Sequence, residues 1–240
     1  MKRITMLTLS LALVAVTITT KAQTIDEVVG KHIEAMGGAD KIQSVKSQAT
    51  EGTMQIQGME FPFKTWSVHN KAMRVDFDAM GTTNTQVIST KGGWMFMPVQ
   101  QQQAPVDSDP EVVKEAASEL DLTGDLYDYK AKGHTAELIG KETQDGQEFY
   151  KIKLTRKNGT VTDILLDTKT YLVSKRISSK NIQGQEVEIT EILSNYKKTA
   201  DGYVYAATIE QLPMGMKMDF GKYEYNTAID EKLFEKPAAQ

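Results

Sequence analysis

The chain contains no cysteine and only three histidines, and its acidic residues outnumber its basic ones. Without cysteine there are no disulfides, no thiolate nucleophile, no cysteine-ligated zinc and no N-terminal cysteine to carry a lipid. His32, His69 and His134 are far apart and form no HExxH-type spacing, so a histidine metal site has no local basis. No serine lies in a GxSxG elbow, and the glycine pairs Gly37-Gly38 and Gly92-Gly93 read as a helix stop and a hairpin rather than a phosphate cradle. The carboxylate pairs Asp76/Asp78 and Glu186/Glu188 alternate with apolar residues, which assigns them to a solvated strand face rather than to a buried acid/base pair. Asp107, Asp109 and Glu111 could hold calcium loosely, but Asp109 is already accounted for as a helix cap. No catalysis, cofactor or metal is expected.

Long apolar runs are absent too, save one from about Ile4 to Val16. It follows Lys2 and Arg3 and precedes Thr20 and Ala22 at −3 and −1 of a cleavage point, so residues 1–22 read as a secretory signal peptide, too short in its apolar part to span a bilayer comfortably. Residues 23–240 are then expected to be one exported, periplasmic domain, not an integral membrane protein. The 28 basic residues face 32 acidic ones, and Lys2, Arg3 and Lys21 leave with the leader, so the mature formal charge is −7. That balance argues against nucleic acid and against docking on anionic lipid.

What the chain does have is alternation. TIDEVVGKHIEAMGG reads as a helix with a capping box from Thr24 to Glu27 and a stop at Gly37-Gly38. From about Gln48 the apolar period changes to two, and about twelve strands follow in two runs. Between the runs, a loop and helix insertion at about 98–132 contains Asp109 as N-cap and Pro110 at the first helical position, with a short helix or turn near Asp125 to Lys130. Asp145-Gly146 and Asn158-Gly159 are hairpin signals, Pro62 places its strand at or near an edge, and Gly221 reads as a β-bulge because the apolar parity changes across it. The expected fold is mainly β with helices: a strongly curved antiparallel sheet, or incomplete β-barrel, of about 11–12 strands with a helical lid.

Nine of the ten methionines after the leader fall in strands or their turns. Thioethers are unbranched and polarizable and adapt to irregular partners. By parity, Met54, Ile56, Phe61, Phe63, Met73, Val75, Phe77, Met95, Met97, Met214, Met216 and Met218 are the expected lining of an adaptable apolar cavity, with Trp94 and Phe96 as alternatives to Met95 and Met97. A 16-carbon chain carries on the order of 12 kcal/mol of exposure cost at about 0.8 kcal/mol per methylene, so it needs a carrier to cross water. The rival expectation is a non-transport periplasmic scaffold or envelope-sensing module with a permanently packed core; a hydrolase assembled from distant residues is a third.

HIEAMGGADKIQSVKS, GGWMFMP, NGTVTDILLDTKTYLVSKRIS and IDEKLFEKP resemble the LolA-like lipoprotein-carrier superfamily, in particular the outer-membrane lipoprotein-sorting proteins of Bacteroidetes, over essentially all of residues 23–240. The resemblance implies an incomplete barrel with helices as a lid over an apolar cavity. It also implies lipoprotein or lipid acyl chains as cargo, an inner-membrane donor and an outer-membrane acceptor. Family carriers latch the lid with an arginine just before a proline near the second strand turn. The matching positions here are His69-Asn70, so the candidates for a latch are His69 and the nearby Arg74, which parity puts on the polar face.

Overall fold

The computed structural model describes residues 23–182 and 184–238; the expected leader lies outside the described residues. The first helix, α1 (Ile25–Ala35), starts at the expected capping box: the Glu27 N–H donates to Thr24 Oγ1 at 3.2 Å, and the Thr24 N–H donates to the Glu27 carboxylate at 2.8 Å. A single-turn helix, α2 (Ala39–Gln43), follows. The first meander is β1 (Ser47–Ile56), β2 (Met59–Val68), β3 (Ala72–Ala79), β4 (Thr82–Ser89), β5 (Gly92–Phe96) and β6 (Val106–Asp107). After it come α3 (Pro110–Ala116), capped by Asp109, and a 3₁₀ turn over Ala117–Leu120. The second meander is β7 (Thr135–Gln144), β8 (Gln147–Thr155), β9 (Val161–Asp167), β10 (Val173–Ile182), β11 (Gln185–Lys198), β12 (Val204–Leu212) and β13 (Met216–Tyr225).

All thirteen strands form one curved antiparallel sheet in the order β6-β5-β4-β3-β2-β1-β13-β12-β11-β10-β9-β8-β7. The two meanders join where β1 pairs with β13, and the edges β6 and β7 do not pair, so the barrel is open. The strand beyond the expected count is β6, two residues inside the insertion, too short to show a period. Of the two alternatives for Asp125 to Lys130, the structure takes the turn.

Two-residue hairpin turns recur with positive φ at both centres, at Gln57/Gly58, Met80/Gly81 and Asp145/Gly146. The expected bulge is present: Glu51 faces Lys222 and Gly52 faces Phe220, which leaves Gly221 as the extra residue. Opposite it, a Cβ on Gly52 would lie 2.3 Å from the Asp219 carbonyl oxygen and 2.9 Å from the Phe63 ring, so only glycine fits. Pro62 corrects an expectation, because β2 is interior to the sheet. Its missing donor is tolerated because the ladder to β3 begins only at Phe63.

The inner face of the second meander is the dense core. Val28 and Val29 of α1, with Leu126 and Tyr129, pack on Ile152, Leu154, Ile164, Leu166 and Leu193, all buried. On the outer face of the first meander, the C-terminal 3₁₀ turn (Glu231–Phe234) is pinned: Trp94 Nε1 donates to the Phe234 carbonyl at 3.0 Å and Arg74 Nη1 to the Leu233 carbonyl at 2.8 Å.

Candidate functional site

The strand registers decide where the expected lining residues go. Met54 faces Met218 on one side and Phe61 on the other; Ile56 faces Met216. Phe63 faces Phe77, Val75 lies opposite Thr65 and Met73 opposite Ser67, and Met95 lies opposite Gln86, the partner of Val75. Ten of the twelve therefore share one face of the sheet. Met97 follows β5, and Met214 sits 52% exposed in the turn before β13. Helix α3 lies over this same face: a Cβ on Gly93, the partner of Ile88, would meet Val113 at 3.0 Å. Trp94 points to the opposite face, opposite Val87. Of the ten, only Phe63 is fully buried; the rest are half-buried, an apolar trough with incomplete cover.

A deeper, partly open hollow lies elsewhere on that face. A cavity of about 250 Å³ sits under α1, α2 and the 122–127 segment, and none of the twelve residues lines it. Its sheet wall mixes aliphatic residues, among them Ile164, Leu193 and Ile209, with a tyrosine-rich part: Tyr196, Tyr203, Tyr205, Phe220, Tyr223 and Tyr225 beside Arg176 and Gln48. Tyr205 stacks on Tyr223 with ring centres 4.2 Å apart, and Tyr203 tilts on Tyr225 at 4.3 Å. The sequence signal for these walls is YVY and YEY, a tyrosine at every second position just as the methionines recur. The cavity and the trough are continuous in aromatic contact: Phe220 meets Tyr223 edge-on at 5.7 Å and Phe63 edge-on at 5.4 Å.

Burial sets the protonation of this wall. It pushes the Tyr196 and Tyr223 hydroxyls up to about 12 and Tyr225 higher still, so all three remain neutral donors at physiological pH. His32 reaches the cavity from α1, and burial lowers its pKa to about 4, against the raising effect of its bond to the Tyr171 carbonyl at 2.8 Å. Because a carbonyl only accepts, Nδ1 carries the proton and Nε2 is left as an acceptor. Asp125, on the roof, loses charge stability to burial. The two bonds from Arg156, at 2.9 and 2.6 Å, together with its charge, outweigh that and hold the carboxyl below its ordinary range.

The roof is fastened at the turn between β2 and β3. The Asn70 N–H donates to the Leu120 carbonyl at 2.8 Å, and the Leu122 N–H donates to His69 Nδ1 at 3.1 Å. At its far end, Asp26 of α1 accepts from Tyr129 Oη and Lys130 Nζ, both at 2.7 Å. Arg74 is on the other face, in a two-pronged pair with Asp76 at 2.8 and 2.9 Å. That pair also corrects the reading of Asp76 as simply solvated, since its side chain is 16% exposed. Glu186 and Glu188 are exposed as expected. Asp107 is paired with Lys236, Asp109 caps α3, and no cluster of metal-ligating side chains occurs among the described residues. No helix among the described residues is long and apolar enough to cross a membrane.

No family model matches the sequence, and no curated protein matches it. Solved structures do. A DUF1329 family protein from Desulfovibrio piger superposes with a TM-score of 0.58 at 15% identity, covering 88% of this chain and 97% of that one. A LolA superfamily protein from Nitrosomonas europaea gives 0.56 at 16% identity, covering 90% and 99%. An outer membrane lipoprotein-sorting protein domain from Vibrio parahaemolyticus, so described as putative, gives 0.53 at 16%, covering 87% and 94%. With an open antiparallel sheet curved around its helices and these likenesses over nearly the whole length, the chain has a LolA-like fold.

Proposed function

We propose that this protein is an exported, non-catalytic carrier that binds lipid acyl chains on the inner face of its sheet, with lipoprotein as the first-choice cargo. The observation that carries the reading is the trough: ten apolar side chains, half of them methionine, brought to one face by register and left half-covered. A permanently packed core would bury those groups, as the second meander buries its own. Half-buried methionines cost the free protein part of their transfer energy, and a hydrocarbon chain laid over them recovers it. The likeness to a lipoprotein-sorting domain accords with that cargo. In this reading the protein takes its cargo from an inner-membrane donor and passes it to an outer-membrane acceptor. Residues 1–22 direct export and are removed, leaving the soluble periplasmic domain, and the insertion at 98–132 is the lid. His69, bonded to Leu122, is the proposed latch in place of the family arginine; Arg74, on the opposite face, is not.

The test is the protein purified from cells of its own envelope type, extracted and assayed by lipid mass spectrometry. Stoichiometric lipid or acylated peptide is expected, together with a rise in unfolding temperature when acyl ligands are added to stripped protein. Repeatedly empty protein whose stability ignores such ligands would instead establish the packed scaffold.

A further inference from the structure

The cavity wall holds one cation whose hydrogen-bonding capacity is unspent. Arg176 of β10 faces the tyrosines, and its ion pair is loose, Nη1 to Glu191 Oε2 at 3.6 Å, beyond hydrogen-bond reach. Among the described residues its guanidinium makes no hydrogen bond. By contrast, Arg156 and Arg74 each grip a carboxylate with two. A guanidinium presents a planar fork of donors suited to a carboxylate or phosphate. The Arg176 side chain lines the cavity beside Tyr196 and Tyr223 and is 39% exposed, so an entering ligand can reach it. Tyr196 Oη is spent on the Val173 carbonyl and Tyr203 Oη on Ser44 and Asn226. The stacked Tyr205 and Tyr223 stand next along the wall toward Phe220.

Space points the same way. At about 250 Å³ the cavity is below the roughly 300–1,000 Å³ usual for a whole small ligand, so it suits a head group rather than a long chain. Its aromatic wall continues through Phe220 and Phe63 into the methionine trough, which suits a tail.

Building on the carrier reading, we propose that the cavity is a head-group site: an anionic amphiphile seats its carboxylate or phosphate on Arg176, displacing the loose Glu191 contact, and runs its tail past Phe220 toward the half-buried residues of the trough. The ligand class is thereby narrowed to amphiphiles with an acidic oxygen head, which keeps the acyl-chain carrier reading but puts a fatty acid or phospholipid ahead of the uncharged acylated cysteine of a lipoprotein.

The test uses the full chain without its leader and measures affinity by calorimetry for four probes: hexadecanoate, hexadecyl phosphate, methyl hexadecanoate and inorganic phosphate. The acid or the alkyl phosphate is expected to bind about ten-fold or more tightly than the uncharged ester, since a charge-assisted pair is worth about one decade or more. Whichever of the two binds better identifies the head. Arg176→Gln should remove that preference and leave ester binding unchanged, Arg176→Lys should restore part of it, and Glu191→Gln should tighten the anions by removing their competitor. Unfolding curves confirm that each variant is folded, and the unchanged ester affinity is itself a control for the trough. Equal binding of acid and ester, or an Arg176→Gln loss shared by both, overturns the head-group site while the carrier reading stands. Inorganic phosphate binding as well as the alkyl phosphate would make the site a free-anion site and overturn the proposal. No binding of any acyl probe overturns both readings.

Discussion

The two meanders are similar in strand number and opposite in finish. In the second, α1 closes over the sheet, and Ile152, Leu154 and Leu166 have essentially no exposed surface. In the first, the equivalent inner face carries Met54, Phe61, Met73, Val75 and Met95, all only half-buried, with α3 and its 3₁₀ extension resting on the far end at β4 and β5. The residue types track the difference. Branched aliphatics with few rotamers fill the side that is sealed, and unbranched thioethers fill the side that is not. One half of the sheet is built to hold the molecule together, and the other keeps surface available.

The largest expected effect breaks that contrast most directly. Leu154→Ala, in the sealed half, is expected to lower unfolding stability by about 2–5 kcal/mol, whereas Met54→Ala in the trough should cost under about 1 kcal/mol. Chemical denaturation of both variants would show it, and equal losses would mean that the trough is packed after all.

Next comes pH. His32 belongs to the sealed half, and its folded-state pKa of about 4 lies below the ordinary 6.5. The unfolded chain therefore binds the proton more readily, so the full stability is present above about pH 6.5 and falls as pH drops toward 4. The loss is about 3 kcal/mol at roughly 1.4 kcal/mol per unit. His32→Gln should flatten that part of the stability-versus-pH curve; a slope unchanged by the substitution would assign it to other groups.

The smallest effect concerns the fastening between the halves. His69→Ala removes the acceptor for the Leu122 N–H and should cost about 1 kcal/mol. It should speed hydrogen exchange at residues 120–124 with little change at Ile152 or Leu154. Uniform acceleration across the sheet would show that the turn is a global support rather than a local clasp.

Much of the frame could be read from residues alone, because it depends on local rules. The Thr24 box, the Asp109 cap, the Gly221 bulge and the common face of Met54, Phe61 and Met218 follow from spacing, since strand parity survives whatever the sheet packs against. The cavity could not be read that way. YVY and YEY announce strands, but that they face a covered hollow depends on α1 arriving from the other end of the chain, and on His32 meeting the Tyr171 carbonyl 139 residues away. Asn195, with φ at 52° inside β11, adds a local irregularity near this wall that alternation does not foresee. Pro62 shows the opposite limit: the rule about its missing amide is sound, but it concerns one rung of a ladder and not the place of the whole strand.

The unjoined edges have a mechanical consequence. A closed barrel fixes its bore, since widening it means parting a seam of main-chain bonds. Here β6 and β7 end the sheet without meeting, so the curl can tighten or relax by small changes of twist spread over twelve intact seams. The volume inside is thus an elastic quantity set by side chains, and under the proposed carrier role guests of different girth would share a single hydrogen-bonded frame.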